Sequence, residues 1–245
     1  IERAFGHSKI QNAISLCPFA WAHGISIMTI THHLDNATLV SYGAGTLPTG
    51  LNTIVKAHLE FCPACRKDAL AANEIGGSFL NNSTEVAVSA SSKSSVMDKI
   101  QTATLHRLPL PRSASESEVP RVLQALIGTA DLDQLKWRNS GPGFSMFKLP
   151  QQSGDAGFFG LLRIAPGQKV PDHGHGGTEL TLILRGAYHD EIGHFARGDV
   201  ADLDESISHT PIAADDGECI CVVANDAPTR FRSWPARLAQ RFIGI

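Results

Sequence analysis

The chain has 245 residues with a formal net charge of −3 at pH 7, and 18% of its side chains are charged. This length is enough to bury the core of one large domain or of two small ones. The slightly acidic balance leaves no overall positive field, and it therefore argues against direct binding to nucleic acid or to an anionic membrane surface.

Residues 1–27 precede the methionine Met28, and we expect them to be an upstream extension that is not part of the functional protein. The stretch 13–30 is apolar enough to be compared with a membrane span or a secretory signal. It contains Pro18 and Gly24 and is barely long enough to cross a bilayer, so neither interpretation is favoured. We expect no contact with a membrane.

Apolar residues at helical spacing predict three helices in the first third of the chain. The first starts at Asp35, and the second ends near Phe61. Pro63 would break a helix from within but is favoured as a first helical residue, so we expect a third helix to start there. This helix is expected to run to about Ile75, where Gly76-Gly77 closes it.

The next segments mark the passage from one domain to another. Residues 81–95 are rich in Ser, Asn and Thr, which is typical of a linker, and residues 94–107 predict one more helix. Two prolines and a Ser/Glu run then form a boundary. We therefore expect a helical domain over residues 28–108, a linker over 109–120 and a second domain over 121–245.

The second domain is predicted to be rich in β-structure. Residues 121–127 suggest a short helix, and short apolar or alternating runs follow from Trp137 onwards. The runs span residues 144–149, 158–164, 180–184 and 219–224, and each is bounded by Gly, Pro or Asp. Many short strands at this spacing are typical of a sandwich or a barrel. The fold class is therefore multidomain α + β, with a small helical domain before a β-barrel or jelly-roll domain.

The motif His58-x3-Cys62-x2-Cys65 predicts a metal site in the helical domain. Positions i, i+4 and i+7 share one face of a helix, so the three side chains point the same way. The start of a helix at Pro63 places both cysteines at its positive end, which stabilises thiolates. Mixed thiolate and imidazole ligands suit tetrahedral Zn²⁺, and the pair His32 and His33 offers the fourth ligand.

Two alternatives to this zinc site are compatible with the same residues. His58 can be a solvated helix residue beside two buried free cysteines, or the cysteines can form a redox pair. The redox interpretation lacks the preceding strand of a thioredoxin-like unit. The chain has five cysteines, an odd number that argues against a secreted disulfide scaffold and predicts a reducing, cytoplasmic location.

His33 followed by the motif at residues 58–65 resembles the zinc-binding anti-sigma domain, and the run from Met28 is similar to the start of its ChrR-type members. The resemblance implies that His33, rather than His32, is the fourth ligand. It also implies three helices around Zn²⁺ and a fourth, after a linker, that packs on an extracytoplasmic-function sigma factor. The predicted helix over residues 94–107 would take that place.

The motif Gly167-x5-His173-x-His175-x3-Glu179-x6-Gly186 predicts a second metal site. Residues two apart on a strand point to one face, so His173 and His175 converge, and Glu179 follows in phase. The motif resembles the first cupin motif, and a weaker second motif, Gly193-x4-Gly198-Asp199, is followed by His209 as the fourth ligand. The asparagine often found after that histidine is absent. The alternative is a barrel with polar side chains inside and no metal.

The identity of the second metal stays open, because three histidines and a glutamate accept Zn²⁺ or another divalent ion such as manganese, iron or nickel. Several nearby residues receive no role: His189, His194, Asp172 and Asp199 are expected in loops and turns. Cys219 and Cys221 share a strand face. We interpret them as small core residues, with sensing thiols as the alternative.

Taken together, the two domains resemble ChrR-type anti-sigma factors. The resemblance implies a transcription regulator and not an enzyme, which binds an extracytoplasmic-function sigma factor as a 1:1 heterodimer. It implies release of the sigma factor when the cupin-like domain senses singlet oxygen or related oxidants. The alternative is a metal-dependent cupin enzyme, a dioxygenase or isomerase, with a zinc module. Direct DNA binding by the helical domain is disfavoured by its balanced charge.

Overall fold

The computed structural model describes residues 29–102, 117–152 and 156–232. Its helices are α1 (Asn36–Gly43), α2 (Thr49–Phe61), α3 (Pro63–Asn81), α4 (Ser92–Thr102) and α5 (Arg121–Ile127). The predicted upstream extension lies outside the described residues, as do residues 103–116, which include the end of the predicted fourth helix and most of the linker. Among the helices that are described, none combines the length and the apolar character needed to cross a bilayer.

The junction between α2 and α3 confirms the expected break at Pro63. Cys62 has an extended backbone and caps α3, and its Sγ accepts a hydrogen bond of 3.4 Å from the backbone N–H of Cys65. Pro63 is the first residue of the new helix, where its missing N–H leaves no hydrogen bond unmade. The two cysteines therefore lie in the first turn of α3.

The predicted end of α3 was wrong, because the helix continues through Gly76-Gly77 to Asn81. Glycine lowers helix stability by roughly 1 kcal/mol relative to alanine but does not by itself end a helix. The end comes at Asn82, whose backbone N–H and side-chain Nδ2 both donate to the carbonyl of Ser78. Asparagine side chains satisfy free carbonyls at such ends, which explains why the helix ends about six residues later than predicted.

The strands of the β-rich part are β1 (Arg138–Gly141), β2 (Phe144–Lys148), β3 (Phe159–Ile164), β4 (His173–Gly174), β5 (Glu179–Arg185), β6 (Ala187–His189), β7 (His194–Ala196), β8 (Val200–Leu203), β9 (Ser208–His209), β10 (Ile212–Ala213), β11 (Cys219–Asn225) and β12 (Arg230–Phe231). Among the described residues they form one six-stranded and two three-stranded antiparallel sheets, in the orders β1-β2-β3-β11-β5-β8, β10-β6-β7 and β12-β4-β9. All four predicted strand runs and the short helix at 121–127 are confirmed.

Gly186 makes the tight turn between β5 and β6. Its φ is 69°, and an added Cβ would lie 2.2 Å from the carbonyl oxygen of Glu218. Only glycine fits this backbone conformation and this contact. The last glycine of the motif at residues 167–186 is therefore required by this turn.

One hydrophobic core joins the helices to the six-stranded sheet. Leu51, Ile54 and Val55 of α2 are almost completely buried and belong to the same cluster as Leu182 and Val222 of the sheet. The carboxylate of Glu60 also accepts hydrogen bonds from the N–H groups of Arg121 and Val122 at the start of α5, 3.0 and 3.2 Å long. The expected order of a helical part before a β-rich part is confirmed, while the exact domain limits stay a prediction.

A second core fills the space between the sheets. It contains Tyr188, Phe195, Cys219 and Cys221, all of them buried. Both cysteines are free and face this core, which favours their interpretation as small apolar residues.

Candidate metal centres

The first cluster forms where three helical segments meet. His33 lies just before α1, His58 lies on α2, and Cys62 and Cys65 start α3. One possible ligand atom from each residue lies within 4.8 Å of those of the other three. His58 and both cysteines are buried, whereas His33 is exposed. The structure thus brings together the four residues that the sequence predicted.

The distances in this cluster fit a tetrahedral ion. His33 Nδ1 lies 3.3 Å from the Sγ of Cys62 and 3.6 Å from the Sγ of Cys65, and His58 Nε2 lies 3.3 Å from the Sγ of Cys65. Zinc–ligand bonds of roughly 2.0–2.3 Å at tetrahedral angles place neighbouring ligand atoms about 3.3–3.8 Å apart. His33 therefore faces the cluster through Nδ1 and His58 through Nε2.

His32 does not face this cluster. Its ring stacks on that of Phe195, with the ring centroids 4.0 Å apart, and its Nδ1 lies 3.6 Å from a carboxylate oxygen of Asp199. Of the two adjacent histidines, the structure places His33 in the cluster and His32 against the β-rich part, as the family resemblance implied.

The electrostatics of the first cluster favour a bound cation. His58 Nδ1 donates to the carbonyl of Gly198 over 3.0 Å, which leaves the lone pair of Nε2 toward the cysteines. Burial lowers the pKa of His58 to about 4 and raises the pKa of the Cys65 thiol to about 11. At neutral pH the metal-free site therefore holds a neutral imidazole and a protonated Cys65, and a cation is needed to keep this thiolate.

The second cluster forms inside the β-rich part. His173 lies on β4 and pairs across the sheet with His209 on β9, while His175 follows β4 and Glu179 starts β5. Ligand atoms of all four residues lie within 4.8 Å of one another, and all four residues are buried. The second predicted set is thus also brought together.

The hydrogen bonds around the second cluster leave nitrogen lone pairs facing one another. His173 Nδ1 donates to the carbonyl of Pro171 over 2.9 Å, and His209 Nδ1 donates to Asp190 over 2.8 Å. The Nε2 atoms of these two rings therefore carry lone pairs, yet they lie only 3.1 Å apart. His175 Nδ1 lies 3.4 Å from a carboxylate oxygen of Glu179, and His175 Nε2 has no hydrogen-bond partner among the described residues. Buried lone pairs in this arrangement fit a metal ion between them.

Glu179 supplies the negative charge of the second cluster. Burial alone would raise the pKa of its carboxyl, but the surrounding imidazoles of His175, His173 and His209 lower that pKa to about 2. The carboxylate is therefore ionised at neutral pH. Three imidazoles and one carboxylate suit several divalent ions, so the donor set fits a metal without selecting one.

A cavity of about 80 Å³ adjoins the second cluster. His173, Glu179 and His209 line one side of it, and most of the other walls are apolar. Tyr188 also lines this cavity, and its hydroxyl has no hydrogen-bond partner among the described residues. This volume is enough for a few water molecules or one very small molecule beside a bound ion.

The sequence did not reveal the residues that support the ligands. Asp190 accepts a hydrogen bond from His209 Nδ1, and the carbonyl of Gly198 accepts one from His58 Nδ1. The carboxylate of Asp199 accepts hydrogen bonds from the backbone N–H groups of Thr31 and His32. Gly198 and Asp199 belong to the weaker cupin motif, which was the only sequence signal for them. Asp190 stands in no motif, so no pattern indicated it.

Comparisons with known proteins agree with both halves of the chain. Residues 128–228 match the family model of the ChrR cupin-like domain. The anti-sigma-E factor ChrR of Cereibacter sphaeroides is 39% identical over 218 residues, which are 89% of this chain and 100% of that protein. In the crystal structure of Rhodobacter sphaeroides SigE in complex with the anti-sigma ChrR, the matching chain has 37% identity and a TM-score of 0.67, and the match covers 81% of this chain and 100% of that one.

Proposed function

The chain belongs to the ChrR family of anti-sigma factors, and we propose that it binds an extracytoplasmic-function sigma factor and keeps it from RNA polymerase. The single observation that carries this proposal is the similarity to an anti-sigma factor over 89% of the chain, helical part included. We propose accordingly that the chain acts as a regulator of transcription and not as an enzyme, since the relative that it matches is an anti-sigma factor. We further propose a 1:1 complex in the cytoplasm, with no direct contact to nucleic acid.

An exposed apolar surface on α3 and α4 supports a protein partner. Seven large apolar side chains of these two helices are each 46–74% exposed, and we name this set the α3–α4 apolar surface: Leu70, Ile75, Phe79, Leu80, Val96, Met97 and Ile100. Helix α4 has no buried residue among those described. Large apolar side chains that stay exposed on two successive helices favour contact with a partner protein. We assign this surface to the sigma factor.

We propose that the first cluster holds Zn²⁺ through His33, His58, Cys62 and Cys65. Bound there, the ion would link the segment before α1 to α2 and to the start of α3. The helical domain that we propose for residues 28–108 would have little core of its own, and a metal crosslink can supply the missing stability. In this way the chain's own ligands would hold α3, and with it the α3–α4 apolar surface, in a binding-competent position.

We propose that the second cluster, His173, His175, Glu179 and His209, holds Zn²⁺ or another divalent ion in a cupin-like domain spanning residues 121–245. This domain would sense singlet oxygen or a related oxidant and so trigger release of the sigma factor. The cavity beside the cluster supports this role, because a small oxidant can reach the ligands through it. Side chains that bind metals are also among those that oxidants modify.

Cysteine and glutamate variants of the full-length chain test this division of roles. Cys62→Ser should lose Zn²⁺ and sigma binding and raise expression from the target promoters. Cys219→Ala is the matched control, because this buried cysteine belongs to the second core and not to the first cluster, and it should bind the sigma factor as before. Co-purification with the sigma factor, elemental analysis and a promoter reporter are the measurements.

Glu179→Gln tests the other half of the proposal. It should leave sigma binding intact, because the change lies in the β-rich part, but it should remove the response of the reporter to singlet oxygen. A Cys62→Ser chain that still binds the sigma factor tightly would contradict the role of the first cluster. A Glu179→Gln chain that no longer binds it would contradict the separation of binding from sensing.

A further inference from the structure

One β-hairpin contacts residues of both clusters. We name residues 187–199 the bridging segment, which comprises β6, the loop 190–193, β7 and the turn before β8. Within it Tyr188 pairs with Phe195 and His189 with His194. The segment contains none of the eight predicted metal ligands, so any effect it has on the clusters is exerted through the ligands that it positions.

At one end, the loop of the bridging segment holds His209. The side chain of Asp190 is fully buried, and its Oδ2 accepts a hydrogen bond of 2.8 Å from His209 Nδ1. Its Oδ1 accepts from the backbone N–H groups of Ile192 and Gly193 over 2.8 and 3.0 Å. The carboxylate therefore connects the orientation of a ligand ring to the conformation of the loop.

At the other end, the bridging segment packs against the residue next to His33. The ring of Phe195 lies 4.0 Å from that of His32 and 4.9 Å from that of Tyr188, so the three rings form a continuous stack. A Cβ added to Gly193 would lie 3.0 Å from His32 Nε2, which shows how closely the loop approaches this ring.

The turn of the bridging segment also orients the backbone and the ring of the first cluster. The carbonyl of Gly198 accepts from His58 Nδ1 over 3.0 Å. The carboxylate of Asp199 accepts from the N–H groups of Thr31 and His32 over 2.7 and 3.0 Å, and this carboxylate is buried. Two of the four ligands of the first cluster, His33 and His58, are thus positioned by the bridging segment.

We propose that the bridging segment couples the two clusters, so that an ion in the second cluster slows the loss of the ion from the first. The coupling rests on the proposed function, since both clusters must bind metal. Groups that hydrogen-bond to metal ligands commonly change metal affinity by about 10–100-fold. With the second ion gone, His209 is no longer fixed from the metal side, and Asp190 can release the loop that packs on His32. The binding free energies of two coupled sites change reciprocally, so the first ion should raise the equilibrium affinity for the second ion by the same factor.

Cobalt(II) in the full-length chain tests the coupling, because the predicted second ligand set contains no cysteine. Thiolate-to-cobalt charge-transfer absorption then reports the first cluster alone. The measurement is the initial rate at which a chelator removes this absorption from fully loaded protein. We expect loss about tenfold faster in His175→Ala, which empties the second cluster, than in the native chain.

Three further variants locate the route. Asp190→Asn and Phe195→Leu should raise the rate toward that of His175→Ala, with a changed visible cobalt spectrum, although neither residue is a ligand. Asp172→Asn is the matched control, since this carboxylate lies beside His173 but pairs with Arg232 instead of the bridging segment, and it should keep the native rate. Near-ultraviolet circular dichroism checks that each variant is folded.

The possible outcomes separate this proposal from the proposed function. Suppose that the native protein binds two cobalt ions per chain and that the chelator removes the charge-transfer absorption equally fast from native and His175→Ala protein. That result would overturn the coupling but leave the two proposed metal sites intact. A native rate in Asp190→Asn and Phe195→Leu would overturn the route through the bridging segment. A native chain that shows no charge-transfer absorption, or that binds a single cobalt ion, would overturn both the proposed pair of metal sites and the coupling between them.

Discussion

Buried imidazoles and thiols are the residues that most clearly need a metal in this protein. His58 is completely buried, and among the described residues its one hydrogen bond to oxygen is that from Nδ1 to the carbonyl of Gly198. Without a cation its other nitrogen faces the thiol of Cys65, whose pKa is raised to about 11. Burial disfavours protonation of the His58 imidazole and ionisation of the Cys65 thiol. The stability of the folded metal-free protein therefore depends on pH.

We expect the free energy of unfolding of the metal-free protein to fall as the pH is lowered from about 6.5 to about 4. The pKa of His58 is lowered to about 4 in the folded protein. The unfolded chain therefore binds a proton at this histidine near pH 6.5, whereas the folded chain binds it only near pH 4. The stabilising contribution is therefore complete above pH 6.5 and is lost on acidification, by on the order of 3 kcal/mol. Urea unfolding of the chelator-treated protein at several pH values measures it.

Two variants separate this effect from other groups that titrate in the same range. His58→Gln should show a weaker pH dependence, whereas His194→Gln, at an exposed position, should keep the native dependence. The same slope in His58→Gln and in the native chain would contradict the assignment to His58.

Helix α3 has two halves with different surroundings. Cys65 and Ala69 in its first half are buried in the shared core, whereas Phe79 and Leu80 near its end are each 74% exposed. The helix crosses Gly76-Gly77 without a contact that requires glycine, since an added Cβ at either position meets nothing within 4 Å. The first half therefore fixes the helix to the metal cluster, and the second half carries the α3–α4 apolar surface into solvent.

We expect Phe79→Ser to weaken sigma binding by roughly tenfold or more without changing the free energy of unfolding. A large aromatic side chain at an interface often contributes that much, while an exposed one contributes little to the fold. Leu126→Ser is the matched control, because Leu126 is also exposed but lies on α5. Calorimetric titration with the sigma factor and thermal unfolding test both parts, and unchanged affinity in Phe79→Ser would contradict the assigned surface.

At the scale of the whole molecule, the helical and β-rich parts share one hydrophobic core. Gly50 of α2 lies so close to the sheet that an added Cβ would be 2.9 Å from the Cβ of Ala224 and 3.1 Å from the ring of Phe159. The two parts are therefore expected to unfold together, in one cooperative transition.

We expect Gly50→Ala to destabilise the protein by about 1–3 kcal/mol, because the extra methyl group overpacks the contact between α2 and the sheet. Gly76→Ala is the matched control: this glycine also lies in a helix, but its surroundings are open, so alanine should stabilise the protein by roughly 1 kcal/mol. Chemical denaturation followed by circular dichroism and by tryptophan fluorescence measures both. A Gly50→Ala protein that is more stable than the native chain would contradict the close approach of α2 to the sheet.

The order of helices and strands and six of the eight candidate ligands were predictable because they depend on short-range spacing, whereas the choice of His33 and His209 rested on resemblance to known motifs. His58, Cys62 and Cys65 come together through the period of a helix and a proline at its start. His173 and His175 come together through the period of a strand. The end of α3 was not predicted correctly, because an asparagine cap at residue 82 outweighed the cost of two helical glycines.

The amino-acid sequence by itself determined the order of the two parts, the strands and helices that carry the ligands, and the residue types of each metal cluster. Only the tertiary structure decided that the clusters share the bridging segment. The contacts of Thr31 and His32 with Asp199, and of His58 with Gly198, join residues 140–168 positions apart. Local periodicity carries no record of such pairs, because they arise when separate elements pack on a common core.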